Sequence, residues 1–313
     1  MTPAAPESVR PHGVFAPVVT PFDAQRAPDA GRLARHCRWL VEHGVGLAVF
    51  GTNSEGNSLS VAEKIALLDA LAENGLPPPR MMPGTGCCAF TDSVALTQHA
   101  VRLGCAGVLM LPPFYYKGVS DEGLFRSYAE IIERVGNDRL RVYLYHIPPV
   151  SQIPISLGLI ERLLEAFPGV IAGIKDSSGD WKNTRAMLER FQPRGFDVFA
   201  GSETFLLATL RAGGAGCITA TGNVNPGPIA DLAAHWDDAD ADAKQSALDR
   251  VRAAFQSFPM IPALKRAIAH HSGDAGWASV RPPLVELSDA QAAALLEALE
   301  AAGHAMPGLS TRV

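Results

Sequence analysis

Short runs of apolar and β-branched residues recur along the chain and alternate with segments whose apolar positions repeat at helical spacing. Eight runs are predicted as strands, at 14–20, 46–50, 81–84, 107–111, 141–146, 170–175, 197–200 and 216–220. Helical spacing is clearest at 31–42, 61–72, 91–103 and 124–135. Ser60 and Asp121 are predicted to cap two of these helices. Eight strand–helix units within about 230 residues predict an α/β fold of the (β/α)8 TIM-barrel type.

The rest of the chain contains no run that is predicted as a strand. Its apolar residues repeat at helical spacing, most clearly at 243–255 and 288–302. We therefore predict two parts, a barrel at 1–224 that carries the active site and a helical C-terminal extension at 225–313. A doubly wound sheet is the competing architecture, because periodicity does not report whether a parallel sheet closes on itself.

Composition indicates a globular protein with a sizeable core. Apolar residues make up 47% of the 313 residues and charged residues 19%, and the net charge of −5 offers no basic surface for nucleic acid or an anionic membrane. The five cysteines show no paired spacing, which disfavours a disulfide framework. The first twelve residues lack the pattern of a signal peptide, and no apolar stretch approaches the ~20 residues that span a bilayer. We expect a cytoplasmic protein.

Two segments suggest binding motifs and do not satisfy them. The adjacent His270 and His271 would point about 100° apart on a helix and could not easily share a metal ion, so no metal site is predicted and a metal-dependent aldolase is disfavoured. The glycine-rich 213–216 precedes a predicted strand, whereas a dinucleotide-binding turn follows one. The loop at 219–223 follows the last predicted strand and is expected to line a site whose ligand the sequence does not name.

Lys175 is the residue with the clearest chemical signal. It ends the apolar run 170–174 and precedes Asp176. A charged amine at the end of a buried strand is unfavourable, so we expect the pKa of Lys175 to fall and the amine to attack carbonyl carbons. The alternative is a structural lysine whose amine reaches water or Asp176. The other five lysines are expected in polar or amphipathic surroundings: Lys64, Lys117, Lys182, Lys244 and Lys265.

Two hydroxyl groups are predicted to lie near Lys175. Barrel active sites use the C-terminal ends of several strands, and period-two alternation lets Tyr145 and Lys175 point inward from neighbouring strands. Imine chemistry needs an acid and base that shuttle protons, which a tyrosine linked to the Thr52 hydroxyl can provide. Taken singly, Tyr145 is also compatible with a core tyrosine and Thr52 with a turn hydroxyl.

Four motifs in order resemble the pyruvate-dependent class I aldolase/lyase family typified by dihydrodipicolinate synthase and N-acetylneuraminate lyase. The motifs are Thr20-Pro21-Phe22, Gly51-Thr52-Asn53-Ser54-Glu55, Tyr145-His146-Ile147-Pro148 and Gly173-Ile174-Lys175-Asp176-Ser177-Ser178, and Arg281-Pro282-Pro283-Leu284 extends the match toward the C-terminus. The resemblance implies an imine between Lys175 and a 2-oxo acid, usually pyruvate, with no further cofactor. It also implies a homotetramer built as a dimer of dimers.

The resemblance further assigns roles to individual residues. Tyr145 would be the general acid and base, Thr52 would relay protons to it, and Tyr115 of a neighbouring subunit would complete the relay. Thr52 and Asn53 would hold the substrate carboxylate, and the backbone carbonyl of Ile218 would lie near the imine. The substrate site would be completed by Gly201, Ser202 and Val150.

Departures from the family pattern restrict which second substrate we expect. Val150 stands where dihydrodipicolinate synthases carry the arginine that grips aspartate semialdehyde, and a neutral side chain cannot replace a guanidinium. Ser54 replaces a glycine and would alter the carboxylate loop if that glycine uses a positive φ, and His146 replaces an asparagine. Gly201-Ser202-Glu203 lacks the Gly-x-Asp-Glu order that holds a sugar chain.

The favoured function is a 2-oxo-acid lyase or aldolase that acts on pyruvate and an aldehyde. Phe114, Tyr116, Val150 and Trp181 predict an apolar or aromatic acceptor side, although Lys117 could reach a distal carboxylate. A dehydratase or hydratase of a deoxy-oxo sugar acid would use the same imine. A protein of another class, one that binds a 2-oxo acid without catalysis, is the remaining alternative.

Overall fold

The computed structural model describes residues 10–309, and the expected absence of a signal peptide falls largely on residues outside this range. Seven parallel strands form one sheet in the order β2-β1-β7-β6-β5-β4-β3. The strands are β1 (Gly13–Ala16), β2 (Gly46–Leu47), β3 (Val108–Met110), β4 (Val142–His146), β5 (Ile171–Asp176), β6 (Asp197–Ala200) and β7 (Gly216–Ile218). The α/β class and the parallel sheet are as the sequence predicts, whereas several strands are shorter.

The third predicted strand is not a regular strand in the structure. Its first residue, Met81, forms a single parallel bridge to Leu47 of β2, and Gly84 forms one to Leu109 of β3. Pro83 has no N–H group and cannot extend a ladder of hydrogen bonds. The segment therefore lies between the two edge strands of the sheet, and the prediction of eight regular strands is wrong by this one.

The described residues contain twelve α-helices, which lie between the strands or after the last one. They are α1 (Ala30–Glu42), α2 (Val61–Glu73), α3 (Phe90–Leu103), α4 (Asp121–Val135), α5 (Pro148–Ser151), α6 (Leu157–Ala166), α7 (Trp181–Phe191), α8 (Leu206–Arg211), α9 (Pro226–Ala234), α10 (Ala241–Gln256), α11 (Met260–Ser272) and α12 (Asp289–Ala301). None of these helices has the length and apolar character needed to cross a bilayer.

The helix caps show one success and one error of the sequence analysis. Ser60 caps α2 in a reciprocal capping box with Glu63, as predicted at Ser60. At α4 the cap is Ser120, whose hydroxyl accepts the N–H of Gly123, and Asp121 is the first helical residue instead. A carboxylate in the first turn still interacts favourably with the helix dipole. The predicted cap therefore lies one residue after the observed cap.

Two buried clusters fill the interior. One lies on the inner face of the sheet and consists of Phe15, Ala48, Met82, Leu109, Tyr143, Ala172, Phe199, Ala215 and Ile218. The Tyr143 ring occupies space that only glycine leaves at position 173, where a Cβ would lie 2.8 Å from ring atoms. The larger cluster joins the sheet to the helices and includes Leu264 and Leu295 of the C-terminal region. Residues 225–309 contain no strand and share this core.

Candidate active site

Lys175 and Tyr145 form the centre of the candidate site at the ends of β5 and β4. The two residues are register partners on adjacent parallel strands, and each is 2% exposed. The Lys175 Nζ lies 4.3 Å from the centroid of the Tyr145 ring. Because neighbouring inner-face positions fix both side chains, the amine and the phenol face the same small volume.

Thr52 extends this pair toward the solvent. Its Oγ1 lies 3.1 Å from the Tyr145 Oη, within hydrogen-bond distance, and either oxygen can be the donor. Thr52 and the adjacent Asn53 are partly exposed on the loop that follows β2. A hydroxyl, a phenol and an amine therefore lie in sequence from the loop to the buried strand end, which is an arrangement that can carry protons.

The loop that carries Thr52 is a tight turn with left-handed residues at its two ends. Phe50 has φ 65° and Glu55 has φ 54°, whereas Ser54 does not have a positive φ. The Ser54 hydroxyl instead accepts the N–H of Gly51 at 3.2 Å, and its carbonyl accepts the Thr20 hydroxyl at 2.6 Å. The serine side chain at this position thus adds one hydrogen bond to the loop without backbone strain.

The strained end of this loop is held by a buried ion pair that the sequence did not reveal. Lys265 of α11 donates to the Glu55 carboxylate and, at 2.7 Å, to the carbonyl of Ser279, and both charged side chains are fully buried. The backbone N–H of Arg281 donates to the other Glu55 oxygen at 2.9 Å. The C-terminal region therefore fixes the shape of the loop that presents Thr52.

The expectation that Lys175 alone is a buried lysine is wrong. Lys265 is fully buried and Lys64 is 4% exposed. Burial lowers the pKa of Lys265 to about 8, with Glu55 opposing the shift, and burial also lowers the pKa of Lys64. Burial does not distinguish Lys175 from Lys265 and Lys64. Its position on the inner face of the sheet beside Tyr145 does. In α11 the apolar neighbours Leu264 and Ile268 were the available signal for Lys265.

Ser177 is a site residue that the sequence analysis passed over. It lies two residues after Lys175, and its buried Oγ has no hydrogen-bond partner among residues 10–309. The oxygen packs against Gly201, where a Cβ would lie 2.1 Å from it. Gly201 therefore leaves the space that this hydroxyl occupies. The period-two spacing from Lys175 was the signal that could have identified it.

Glu203 is a buried carboxylate that joins several polar side chains near the end of β7. Its carboxylate accepts the hydroxyls of Thr219 and Thr221, and the Arg252 guanidinium of α10 lies 3.3 Å away. Thr219 directly follows the buried Ile218, so this carboxylate holds the strand end that carries the Ile218 carbonyl. The predicted site loop at 219–223 thus binds Glu203 with its hydroxyls.

Four predicted site residues lie toward the surface. Tyr115 and Tyr116 are each 74% exposed and contact each other edge to face, and Val150 is 60% exposed. Ser202 is partly exposed and its hydroxyl caps a short turn by accepting the N–H of Thr204. Within this chain Tyr115 forms no hydrogen bond to Tyr145, whereas Thr52 does.

Two further residues predicted on the acceptor side have partners. The Lys117 ammonium donates to the carbonyls of Phe114 and, at 2.8 Å, of Ser151. Trp181 begins α7 and its ring packs against Phe205, with centroids 5.9 Å apart. Residues 10–309 contain no cluster of three or more histidine, cysteine or acidic side chains arranged to hold a metal ion.

Comparison with known proteins shows the family to which this chain belongs. The model of the dihydrodipicolinate synthetase family matches residues 10–302, and the chain belongs to this family. A DapA-like lyase of Chloroflexus aurantiacus, whose activity is uncharacterised, is 35% identical over 294 residues, which are 93% of this chain and 96% of that protein.

Solved structures agree with the assignment. Dihydrodipicolinate synthase from Agrobacterium tumefaciens superposes with a TM-score of 0.86 at 30% identity, covering 93% of this chain and 99% of that one. YagE, a prophage protein of the same family from E. coli K12 solved in complex with pyruvate, gives a TM-score of 0.84 at 27% identity and covers 94% and 99%.

Proposed function

We propose that this protein is a 2-oxo-acid lyase or aldolase that forms or cleaves a carbon–carbon bond through an imine on Lys175. The observation that carries the proposal is the line of Thr52, Tyr145 and Lys175, with 3.1 Å between the two hydroxyl oxygens and 4.3 Å between the amine and the phenol ring. Family membership supports the same chemistry.

The proposed reaction begins with attack of the neutral Lys175 amine on the C2 carbonyl carbon of pyruvate. The carbinolamine that forms loses water to give the imine, for which Tyr145 supplies and then recovers a proton. Loss of a C3 proton gives an enamine, whose C3 attacks the carbonyl carbon of an aldehyde. Hydrolysis of the new imine releases the product and regenerates Lys175.

The carboxylate of the 2-oxo acid is assigned to the loop after β2. Thr52 and Asn53 offer backbone N–H groups and polar side chains there, and Glu55 and Lys265 hold the turn in place. Groups on the other side of the imine are assigned to the end of β7 through the Ile218 carbonyl, and to Gly201 and Ser202 after β6. No resident cofactor is required for this chemistry.

The second substrate is proposed to be an aldehyde less anionic than aspartate semialdehyde. Val150 offers an exposed apolar surface where an arginine would be needed. Two of the three Lys117 N–H groups are already bonded to carbonyls, which leaves one for a distal carboxylate.

The proposed assembly is a cytoplasmic homotetramer. Tyr115 is assigned to the proton relay of the neighbouring subunit, which accounts for a tyrosine that is 74% exposed in the single chain. We also infer that segment 81–84, which bridges to both β2 and β3, completes a closed eight-membered barrel.

Product identification tests the proposal and separates it from its alternatives. Pyruvate would be incubated with aspartate semialdehyde, glyceraldehyde or benzaldehyde, and kcat/KM and products measured for each. We expect carbon–carbon bond formation with an acceptor other than aspartate semialdehyde. A preference for aspartate semialdehyde above about tenfold, or ~1.4 kcal/mol, would refute the argument from Val150. Loss of water from a deoxy-oxo sugar acid with its carbon chain intact would favour the dehydratase, and binding without turnover would favour the non-catalytic protein.

A further inference from the structure

His146 is a buried histidine that the proposed reaction does not use. It ends β4 and is 5% exposed. Its Nδ1 accepts the backbone N–H of Ile155 at 3.0 Å, and its Nε2 lies 4.0 Å from Oδ1 of Asp176. A ring nitrogen that accepts a hydrogen bond carries no proton, so the neutral ring has its hydrogen on Nε2, facing Asp176.

The contact between His146 and Asp176 lies directly behind the candidate catalytic pair. Tyr145 pairs with Lys175 and His146 pairs with Asp176 in the register of β4 and β5. Because successive side chains on a strand point to opposite faces, the first pair faces the site and the second faces the helices. The backbone N–H of Ser177 also donates to the His146 carbonyl at 2.7 Å, which ties the two strand ends together.

Asp176 is held from the other side by the loop that precedes α7 and by the first turn of α7. It accepts hydrogen bonds from the Ser178 N–H at 2.9 Å, the Asn183 amide at 3.1 Å and the Thr184 hydroxyl at 2.7 Å. With its carboxylate fixed by three donors, Asp176 gives His146 an immobile neighbour. The imidazole therefore rests against a rigid strand end and can act as an anchor for a more exposed segment.

The segment that His146 anchors is the loop that carries Val150. This loop leaves β4 at His146, forms α5 and returns at Ile155, where the N–H bonds back to the same histidine. Val150 at its outer turn is exposed, whereas Ile153 and Ile155 on the return are buried. The Nδ1 acceptor thus closes the return of the loop, while the Ser151 hydroxyl, bonded to Ile147 and Ile153, holds its outer turn.

We propose that His146 is a positioning residue that holds the return of the Val150 loop through its Nδ1 atom and makes acceptor binding depend on a neutral imidazole. The proposal rests on the proposed function, because Val150 is assigned there to the acceptor side. An imidazolium carries hydrogens on both nitrogens and cannot accept the Ile155 N–H, so protonation releases the return of the loop.

The surroundings of His146 decide the direction of the pH effect. Burial lowers the pKa of His146 below its usual value, and Asp176 opposes that shift. Asp176 of β5 is the charged group within 4.0 Å of the ring, and the loop side presents only the backbone N–H of Ile155 at hydrogen-bond distance. Acid therefore weakens the anchor, and neutral or alkaline conditions keep it.

Two variants separate the anchor from the titration. Asparagine places its Oδ1 at the same number of bonds from Cβ as the imidazole Nδ1, so His146→Asn keeps an acceptor for Ile155 and cannot be protonated. His146→Leu removes the acceptor. The primary measurement is hydrogen exchange of the Ile155 amide in the protein with pyruvate present, at pH 4.5 and 7.5, corrected for intrinsic rates; the lower pH is needed because burial lowers the pKa of His146. A peptide from α6 serves as the internal control.

For the unmodified protein we expect Ile155 protection to fall on acidification, by up to about tenfold once the imidazole is fully protonated, the scale of one lost hydrogen bond. The Ile155 amide should be protected at both pH values in His146→Asn and at neither pH value in His146→Leu. With pyruvate and glyceraldehyde, the KM for the aldehyde should follow the same pattern while the KM for pyruvate stays constant.

Two results would overturn the proposal. One is acid-induced loss of protection that persists in His146→Asn, since another group would then be titrating. The other is full protection in His146→Leu. Reductive trapping of pyruvate at Lys175 reports on the proposed function independently, so an intact imine with a pH-insensitive loop would refute only the role of His146.

Discussion

Replacement of Lys265 by methionine tests whether the C-terminal region holds the carboxylate loop. Both members of the Lys265–Glu55 ion pair are fully buried, and the carboxylate also accepts the Arg281 N–H at 2.9 Å. Lys265→Met removes the cation and leaves Glu55 with one backbone donor. A buried carboxylate without its partner is strongly unfavourable.

The expected loss is large compared with the stability of an ordinary domain. Breaking a buried ion pair from one side costs about 3–5 kcal/mol, against a typical total of ~5–15 kcal/mol. The added change Glu55→Gln removes the stranded charge while keeping the shape and an acceptor for Arg281. The double variant should therefore be more stable than Lys265→Met alone, by roughly 2 kcal/mol, because only neutral hydrogen bonds are then missing.

Urea unfolding followed by tryptophan fluorescence at pH 7 and fixed protein concentration measures these differences. Lys244→Met is the matched control, since Lys244 forms its ion pairs with Asp231 and Asp240 at the surface, and its midpoint should stay close to that of the unmodified protein. Lys265→Met should also raise the KM for pyruvate through the displaced loop. An unchanged midpoint for Lys265→Met, or a double variant less stable than the single one, would refute the reasoning.

Three further outcomes follow from the same structure. Tyr145→Phe should slow turnover by roughly 10²–10⁴-fold with an unchanged circular dichroism spectrum, because it removes the positioned acid and base. The double variant Tyr145→Phe/Thr52→Val should lose far less turnover than the two single fold-losses multiplied together. If steady-state kinetics give a fully multiplicative loss, the two residues lie on separate proton paths. Burial lowers the pKa of His36 to about 4, below the ~6.5 of an unfolded chain, so its contribution is present above pH ~6.5 and is lost as the pH falls toward 4. The free energy of unfolding of the unmodified protein should thus fall by about 3 kcal/mol relative to that of His36→Leu over that range in urea titrations, and a constant difference would show that His36 is not buried as a neutral ring.

Local patterns predicted the helices and the central pair of the site. Helical periodicity and a serine cap placed α2 to within a residue, and two-residue alternation placed Tyr145 and Lys175 on one face of neighbouring strands. These features depend on side-chain spacing within a few residues, which the sequence contains. The third predicted strand is absent for an equally local reason, since Pro83 lacks the N–H group that a regular strand would need at that position.

The support for the site could not be predicted because its partners are distant along the chain. Lys265 and Glu55 are 210 residues apart, so the apolar neighbours of Lys265 in α11 could indicate its burial but not its carboxylate partner. Arg252 and Glu203 pair in the same way between α10 and the end of β6. Only tertiary packing brings such charges together, whereas His146 was visible in the sequence without a partner to explain it.

The most direct test of the central claim is reductive trapping of pyruvate by borohydride followed by peptide mapping. The account predicts one reduced adduct, on Lys175, which is lost in Lys175→Arg because a guanidinium is not a usable nucleophile. Lys265, whose pKa burial lowers to about 8, is the internal comparison because it is as buried as Lys175 and faces Glu55 instead of Tyr145. An adduct on Lys265 or Lys64 with Lys175 unmodified, or no adduct at all, would contradict the assignment of Lys175 as the imine-forming residue.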